Sequence, residues 1–204
     1  MGEALIYILG LGLAKIMKDV DVVCHTAAYA HEGLSNISPT LICNSNVTGS
    51  VSVFTAAIKN NVKRIVYCSS MARYGDVSIP YLEEYEPKPV DPYGLAKVQA
   101  EEHLQMLSEI HGLNYVTVVP HNVIGIGQRY YDPFRNVVGI MINRAAQAKN
   151  LIIYGDGEQK RSFSDVRDCI VAVERIMKSF RTDLSGQVYN IGPDDNEMSI
   201  IQLA

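Results

Sequence analysis

Runs rich in β-branched residues, each ending in small or polar residues and alternating with helical patterns, constrain this chain more than any other feature. Val20 to Ala28 (VDVVCHTAA), Arg64 to Ser70 (RIVYCSS) and Tyr115 to Pro120 (YVTVVP) are of strand length and apolar enough to be buried. Between them lie helical stretches. Asn46 to Asn60 places Val47, Val51, Phe54 and Ile58 on one face, and Asp91 to Ile110 does the same with Ala96, Ala100, Leu104 and Leu107. The second has an N-cap residue in Asp91, proline at the first helical position, and Gly112 at its end. Strands spaced by helices predict a doubly wound parallel sheet of the α/β class.

Beyond residue 125 glycine, proline and tyrosine become frequent (GIGQRYYDPF). Helices are predicted over 137–147 and 166–180, the latter with Cys169, Val173, Ile176 and Phe180 on one side. A β-hairpin is predicted from Leu151 to Ser164 around Gly155-Asp156-Gly157, and a last strand over 187–191. The expected organisation is a Rossmann-like part over 1–124 and a smaller, mainly substrate-binding part over 125–204, with the 187–191 strand able to rejoin the sheet.

Composition narrows the partners. The 204 residues are 48% apolar and 20% charged, with net charge −4 and 18 scattered basic residues, so no basic face for nucleic acid is expected. Cys24, Cys43, Cys68 and Cys169 form no CxxC pair; no disulfide framework or metal site follows, and buried reduced thiols are expected. The opening MGEALIYILGLGLAK is apolar but short, broken by glycines and preceded by Glu3 rather than a basic residue. It reads as neither a membrane span nor a secretory signal, and a cytoplasmic chain is expected.

The chemistry concentrates at Tyr93-Gly-Leu-Ala-Lys97. Positions four apart share a helix face, and a fixed ammonium favours the phenolate of a group that otherwise ionises near 10. Such a pair can exchange a proton with a substrate hydroxyl. A bare YxxxK is common on helix surfaces, but here Ser69-Ser70 ends the preceding strand, where ligands of doubly wound sheets bind.

In order, HTAA (25–28), NSNVTG (44–49), CSSMARYG (68–75), PYGLAK (92–97), PHNVIG (120–125), YGDGEQKRSF (154–163) and YNIG (189–192) resemble extended short-chain dehydrogenases/reductases. Within these the chain is most similar to nucleotide-sugar epimerases of the UDP-glucose 4-epimerase type. The resemblance implies NAD as cofactor and a UDP-hexose as the substrate. It implies catalytic roles for Ser70, Tyr93 and Lys97, with Asn46 supporting the lysine. His25, Ala27, Ala28, Tyr67 and Cys68 would flank the cofactor together with Tyr93 and Lys97. Ser70, Asn122 and Arg161 would bind the substrate, the last two at its diphosphate, where a guanidinium can grip phosphate oxygens at two points. In the implied reaction Tyr93 takes the proton of the sugar 4-hydroxyl, a hydride passes to NAD, and a 4-keto sugar turns over and is reduced on its other face. A homodimer through the Asn46 and Tyr93 helices is implied too.

Some positions depart from the family pattern. Such proteins open with a strand, a GxxGxxG turn and a helix, whereas here only Gly10-Leu11-Gly12 precedes the resemblance. The 20–28 strand is therefore expected to stand unpaired at one sheet edge. Val119, Ile124, Ile126 and Asp165 replace the usual residues, and Met71-Ala72 replace the Asp-Glu pair of 4,6-dehydratases. Two other readings fit the same residues: a truncated non-catalytic relative serving in binding or assembly, and a reductase or dehydrogenase of the same superfamily with another substrate.

Overall fold

The structure, a computed structural model, describes residues 12–134, 136–179, 181–193 and 197–204. After a helical stretch over 12–16, the order is β1 (Val22–His25), α1 (Glu32–Ile37), α2 (Pro39–Lys59), β2 (Arg64–Cys68), α3 (Pro92–His111), β3 (Asn114–Pro120), β4 (Val123–Ile124), α4 (Val137–Ala146), β5 (Lys160–Ser162), β6 (Ser164–Asp165), α5 (Val166–Lys178), β7 (Gln187–Ile191), β8 (Glu197–Ser199) and α6 (Ile200–Leu203). Four strands form one parallel sheet in the order β1-β2-β3-β7, so β1 lies at an edge among the described residues.

Strand parity sets the layers, because successive side chains point to opposite faces. Ile65, Tyr67 and Tyr115 join Phe54 of α2 and Leu104 of α3 in one core. Val66 and Val118 face the other way and join Cys169 of α5 and Ile191 of β7. Parallel strands buried on both faces carry this continuous apolar content. Both α5 and β7 therefore belong to the sheet's own layers, although they follow residue 125.

The caps of α3 match the sequence. Asp91 accepts a bond from the Gly94 N–H at 2.8 Å, and Gly112 closes the helix at φ 67° with its N–H on the Ser108 carbonyl. Elsewhere the boundaries move. The helix expected from Asn46 starts at Pro39, a proline in its first turn, and Cys43–Thr48 is a π-helical turn that displaces the apolar period. By length and composition α2 could cross a bilayer, but Asn46 and Ser50 are buried and hydrogen-bonded midway along it, and Phe54 and Ala57 lie in the core. The expected hairpin does not form. Leu151 to Tyr154 makes no strand, and β5 pairs antiparallel with β8 instead. The Ile200 and Ile201 N–H groups bond the Gln159 and Gly157 carbonyls, so the later segment takes the ladder expected of 151–154. Of the cysteines only Cys169 is buried, while Cys43 is exposed on the π turn. Phe180, the opening residues and Gly10-Leu11 lie outside the described residues.

A buried arginine joins the layers at the amino end of β2. Arg64, 4% exposed, donates to the Asn114 side chain and to the carbonyls of Ile176, Ser179 and Arg181 at the end of α5. Ile176 and Ser179 stand at the end of that helix, where carbonyls lack intrahelical partners or share weak ones, and Arg181 follows it. Arg64→Met is expected to lower the unfolding free energy by about 2–4 kcal/mol, read from urea denaturation; a loss below about 0.5 kcal/mol would show that the caps are dispensable.

Candidate active site

Tyr93 and Ser70 meet because two local structures converge at the carboxyl end of β2. Ser70 has extended backbone, caps the 3-10 turn Met71–Arg73, and its Oγ accepts the Ala72 N–H at 3.2 Å. Tyr93 is the second residue of α3 and is 6% exposed. The Ser70 hydroxyl acts on its phenol and favours the ionised form. Gly94 permits the approach, since a Cβ there would lie 2.5 Å from the Ala72 carbonyl oxygen. One turn further along α3, the buried Lys97 donates from Nζ to the Cys68 carbonyl at 2.8 Å and lies 5.2 Å from the centre of the Tyr67 ring.

Burial pushes the Tyr93 phenol up to about 12; the Ser70 hydroxyl opposes this, while Cys68, Glu32 and Asp91 reinforce it. Burial pulls Lys97 below the ordinary lysine value, opposed by Cys68 and Glu101.

Tyr93, Lys97, Ser70 and Cys68 open onto a cavity of about 1450 Å³ at the carboxyl ends of the strands. Ala27 and Ala28 line it beyond β1, and Asn122 and Arg161 line it from the later segments. Asn122 adopts a left-handed φ of 40° and donates to the Ser162 carbonyl at 3.0 Å. Arg161 is exposed and donates to the Lys160 carbonyl at 2.7 Å.

Three expected site residues stand outside the cavity wall. His25 and Tyr67 are register partners facing the α2 and α3 side, where the rings pack with Phe54. His25 Nε2 is 2.9 Å from Ser50 Oγ, and burial with the Lys97 charge drives its pKa down to about 4. Neither ring lines the cavity, because strand parity sends both into the core. Tyr67 instead supports Lys97 from below, its hydroxyl 3.4 Å from the Lys97 carbonyl. Asn46 does not reach Lys97. Its amide exchanges bonds of 2.8 and 3.0 Å with the Tyr29 backbone and so braces the loop between β1 and α1. The sequence reading also missed His31, which lines the cavity and pairs with Asp132 at 3.1 Å, and Glu32 beside Arg161 and Asp91. No spacing signal joins positions 101 residues apart.

A parallel sheet with helices on both faces, and a serine, a tyrosine and a lysine gathered at its carboxyl edge, define a Rossmann-like protein of the short-chain dehydrogenase/reductase class. Comparison with known proteins makes this specific. The chain belongs to the NAD dependent epimerase/dehydratase family, whose sequence profile matches residues 12–192. It is similar to the UDP-N-acetylglucosamine 4-epimerase of Methanobrevibacter ruminantium, solved with UDP-N-acetylmuramic acid (32% identity, TM-score 0.85, 94% of this chain and 60% of that one). It is similar as well to the UDP-glucose 4-epimerase of Thermotoga maritima, solved with UDP-glucose (29%, TM-score 0.87, 95% and 62%). The human dTDP-D-glucose 4,6-dehydratase is 31% identical over 186 residues, 91% of this chain and 51% of that protein. The chain thus spans about half to three-fifths of the length of the relatives it matches.

The raised phenol pKa has a signed consequence. Unfolded tyrosine ionises near 10 and folded Tyr93 near 12, so the folded state holds this proton more tightly. The associated stability is complete below pH 10 and is lost as pH rises toward 12. Tyr93→Phe is expected to remove about 2–3 kcal/mol of alkaline destabilisation, seen as the difference between the two proteins' urea midpoints at pH 9 and pH 12. Parallel loss in both proteins would contradict the assigned burial.

Proposed function

We propose that this chain carries the catalytic portion of an NAD-dependent nucleotide-sugar 4-epimerase of the UDP-glucose/UDP-galactose type. The supporting observation is that Ser70, Tyr93 and Lys97 line one wall of a cavity that continues to Asn122 and Arg161.

The chemistry of the donor set fits NAD at its nicotinamide end. Lys97 and Tyr93 offer a cation and a hydroxyl to a ribose, and the small side chains of Ala27 and Ala28 leave room beside them. When bound, NAD supplies reversible oxidation at a sugar carbon. The rest falls to the protein. Tyr93 takes the proton of the sugar 4-hydroxyl and gives it back when the inverted centre forms. Ser70, on the same wall of the cavity, holds the reacting oxygen beside the phenol, so the proton moves between groups at hydrogen-bond distance. Lys97, one turn away on a flexible stem, is the cation able to favour the phenolate. Arg161 and Asn122 anchor the diphosphate, leaving the sugar free to turn.

The purified chain supplied with NAD is expected to convert UDP-galactose to UDP-glucose with no net NADH, followed by coupled assay. Tyr93→Phe is expected to cut kcat about 10²- to 10⁴-fold. Net NADH consumption with a keto substrate would move the reading to a reductase, and no turnover with no retention of UDP-sugar would leave a binding or assembly role.

The same reading includes a homodimer in the cytoplasm. Leu95, Met106 and Ile110 stand 48%, 60% and 66% exposed on α3, and the cysteines are unpaired, which suits a reducing compartment. Sedimentation equilibrium is expected to give twice the 22.5 kDa chain mass; a single-chain mass at micromolar concentration would remove the dimer.

A further inference from the structure

Tyr93, Lys97 and Glu101 project from one face of α3 in successive turns, and only the first two have been given work. Glu101 is mostly shielded, with 12% of its side chain exposed, against 6% for its buried partner Arg73. Arg73 Nη2 lies 2.9 Å from Glu101 Oε2, while Nε and Nη1 have no hydrogen-bond partner. The other carboxylate oxygen accepts from the Ser69 hydroxyl. Glu101 therefore holds both ends of the segment Ser69–Arg73, whose middle presents Ser70 to Tyr93. Placing an arginine and a carboxylate in a core costs several kcal/mol per ion before their attraction is counted, and an apolar pair would hold the layers together as well.

We propose that Glu101 and Arg73 are a positioning pair for the reaction, holding Ser70 against Tyr93 and keeping a compensating negative charge beside Lys97. The role in the reaction rests on the function proposed above; the charge beside Lys97 does not.

The surroundings of Lys97 leave this task to Glu101. Cys68 and Tyr67 face it from β2, His25 from β1, and Tyr93 and Glu101 from its own helix, with Arg73 beyond Glu101. Burial raises the Cys68 thiol and the Tyr67 and Tyr93 phenols, so all three stay neutral near pH 7, and His25 is neutral there as well. Glu101 is the one group of this set able to carry a negative charge at that pH. Its own carboxyl is raised by burial, and Arg73 leads the groups that oppose the rise. Arg73 thus favours the ionised form of Glu101, and Glu101 favours the protonated form of Lys97.

The test is an NMR titration of the Lys97 side chain, through its ¹³Cε resonance, in the full 204-residue chain. Lys97→Met assigns the signal. Wild type is compared with Glu101→Gln and with the double variant Arg73→Met/Glu101→Leu, which replaces the ion pair by apolar side chains of similar size. Both variants are expected to fold and to lower the Lys97 midpoint by about one pH unit, a tenfold weaker hold on the proton. A Lys97 midpoint unchanged in either folded variant would overturn the proposal, since a purely structural pair alters stability and leaves that titration alone. Failure of both variants to fold would assign the pair to folding and overturn it too. The titration needs neither nucleotide nor turnover, so it can fail while the epimerase reading stands, and the reverse.

Discussion

The contact between one face of α3 and the carboxyl end of β2 is the constraint on which the rest depends. Over three turns of helix, Tyr93 lines the cavity with Ser70, Lys97 bonds the Cys68 carbonyl, and Glu101 bonds Ser69 and Arg73. A strand that ends inside a protein leaves carbonyls and hydroxyls in need of partners, and here α3 supplies them side chain by side chain. The groups that finish the strand are therefore also those that face the cavity. Packing behind them fixes the distance, with Tyr67 and Phe54 beneath Lys97 and the missing Cβ of Gly94 admitting the turn above.

The opposite wall is built by different means. Asn122 and Arg161 come from loops and short strands held by backbone bonds, such as the Ser164 N–H on the Asn122 carbonyl at 3.3 Å. The loop after β1 is braced by Asn46 of the π turn and tied to the later segments through His31 and Asp132. A π turn inserts one residue into a helix and so redirects a side chain; at Asn46 that side chain serves a backbone that lines the cavity. The structure thus joins a wall of buried side chains from α3 and β2 to a wall made of loops and short strands.

Much of this was legible in the sequence, because local rules agree with the fold along the core. The caps of α3, the YxxxK spacing, and the β-branched runs of β2 and β3 each point to what forms. Legibility failed where partners come from far away. The 151–154 segment has the composition of a strand, yet 197–201 takes its ladder. His25 and Tyr67 sit in the right motifs, but strand parity, which those motifs do not carry, turns them into the core. Glu101 was readable as the next step of the 93, 97 series, and Arg73 only as a charge in an apolar stretch. That Lys97 donates to the Cys68 carbonyl follows from where β2 stops, and no spacing records it.

The central claim is that the Ser70 and Tyr93 hydroxyls share one reacting oxygen of a sugar nucleotide lodged in this cavity. A crystal structure of the chain with NAD and UDP-glucose tests it most directly. The account requires the sugar 4-oxygen within hydrogen-bond distance of both hydroxyls and the diphosphate against Arg161 and Asn122. A sugar bound elsewhere, or one with its 4-oxygen turned away from Tyr93, would contradict it.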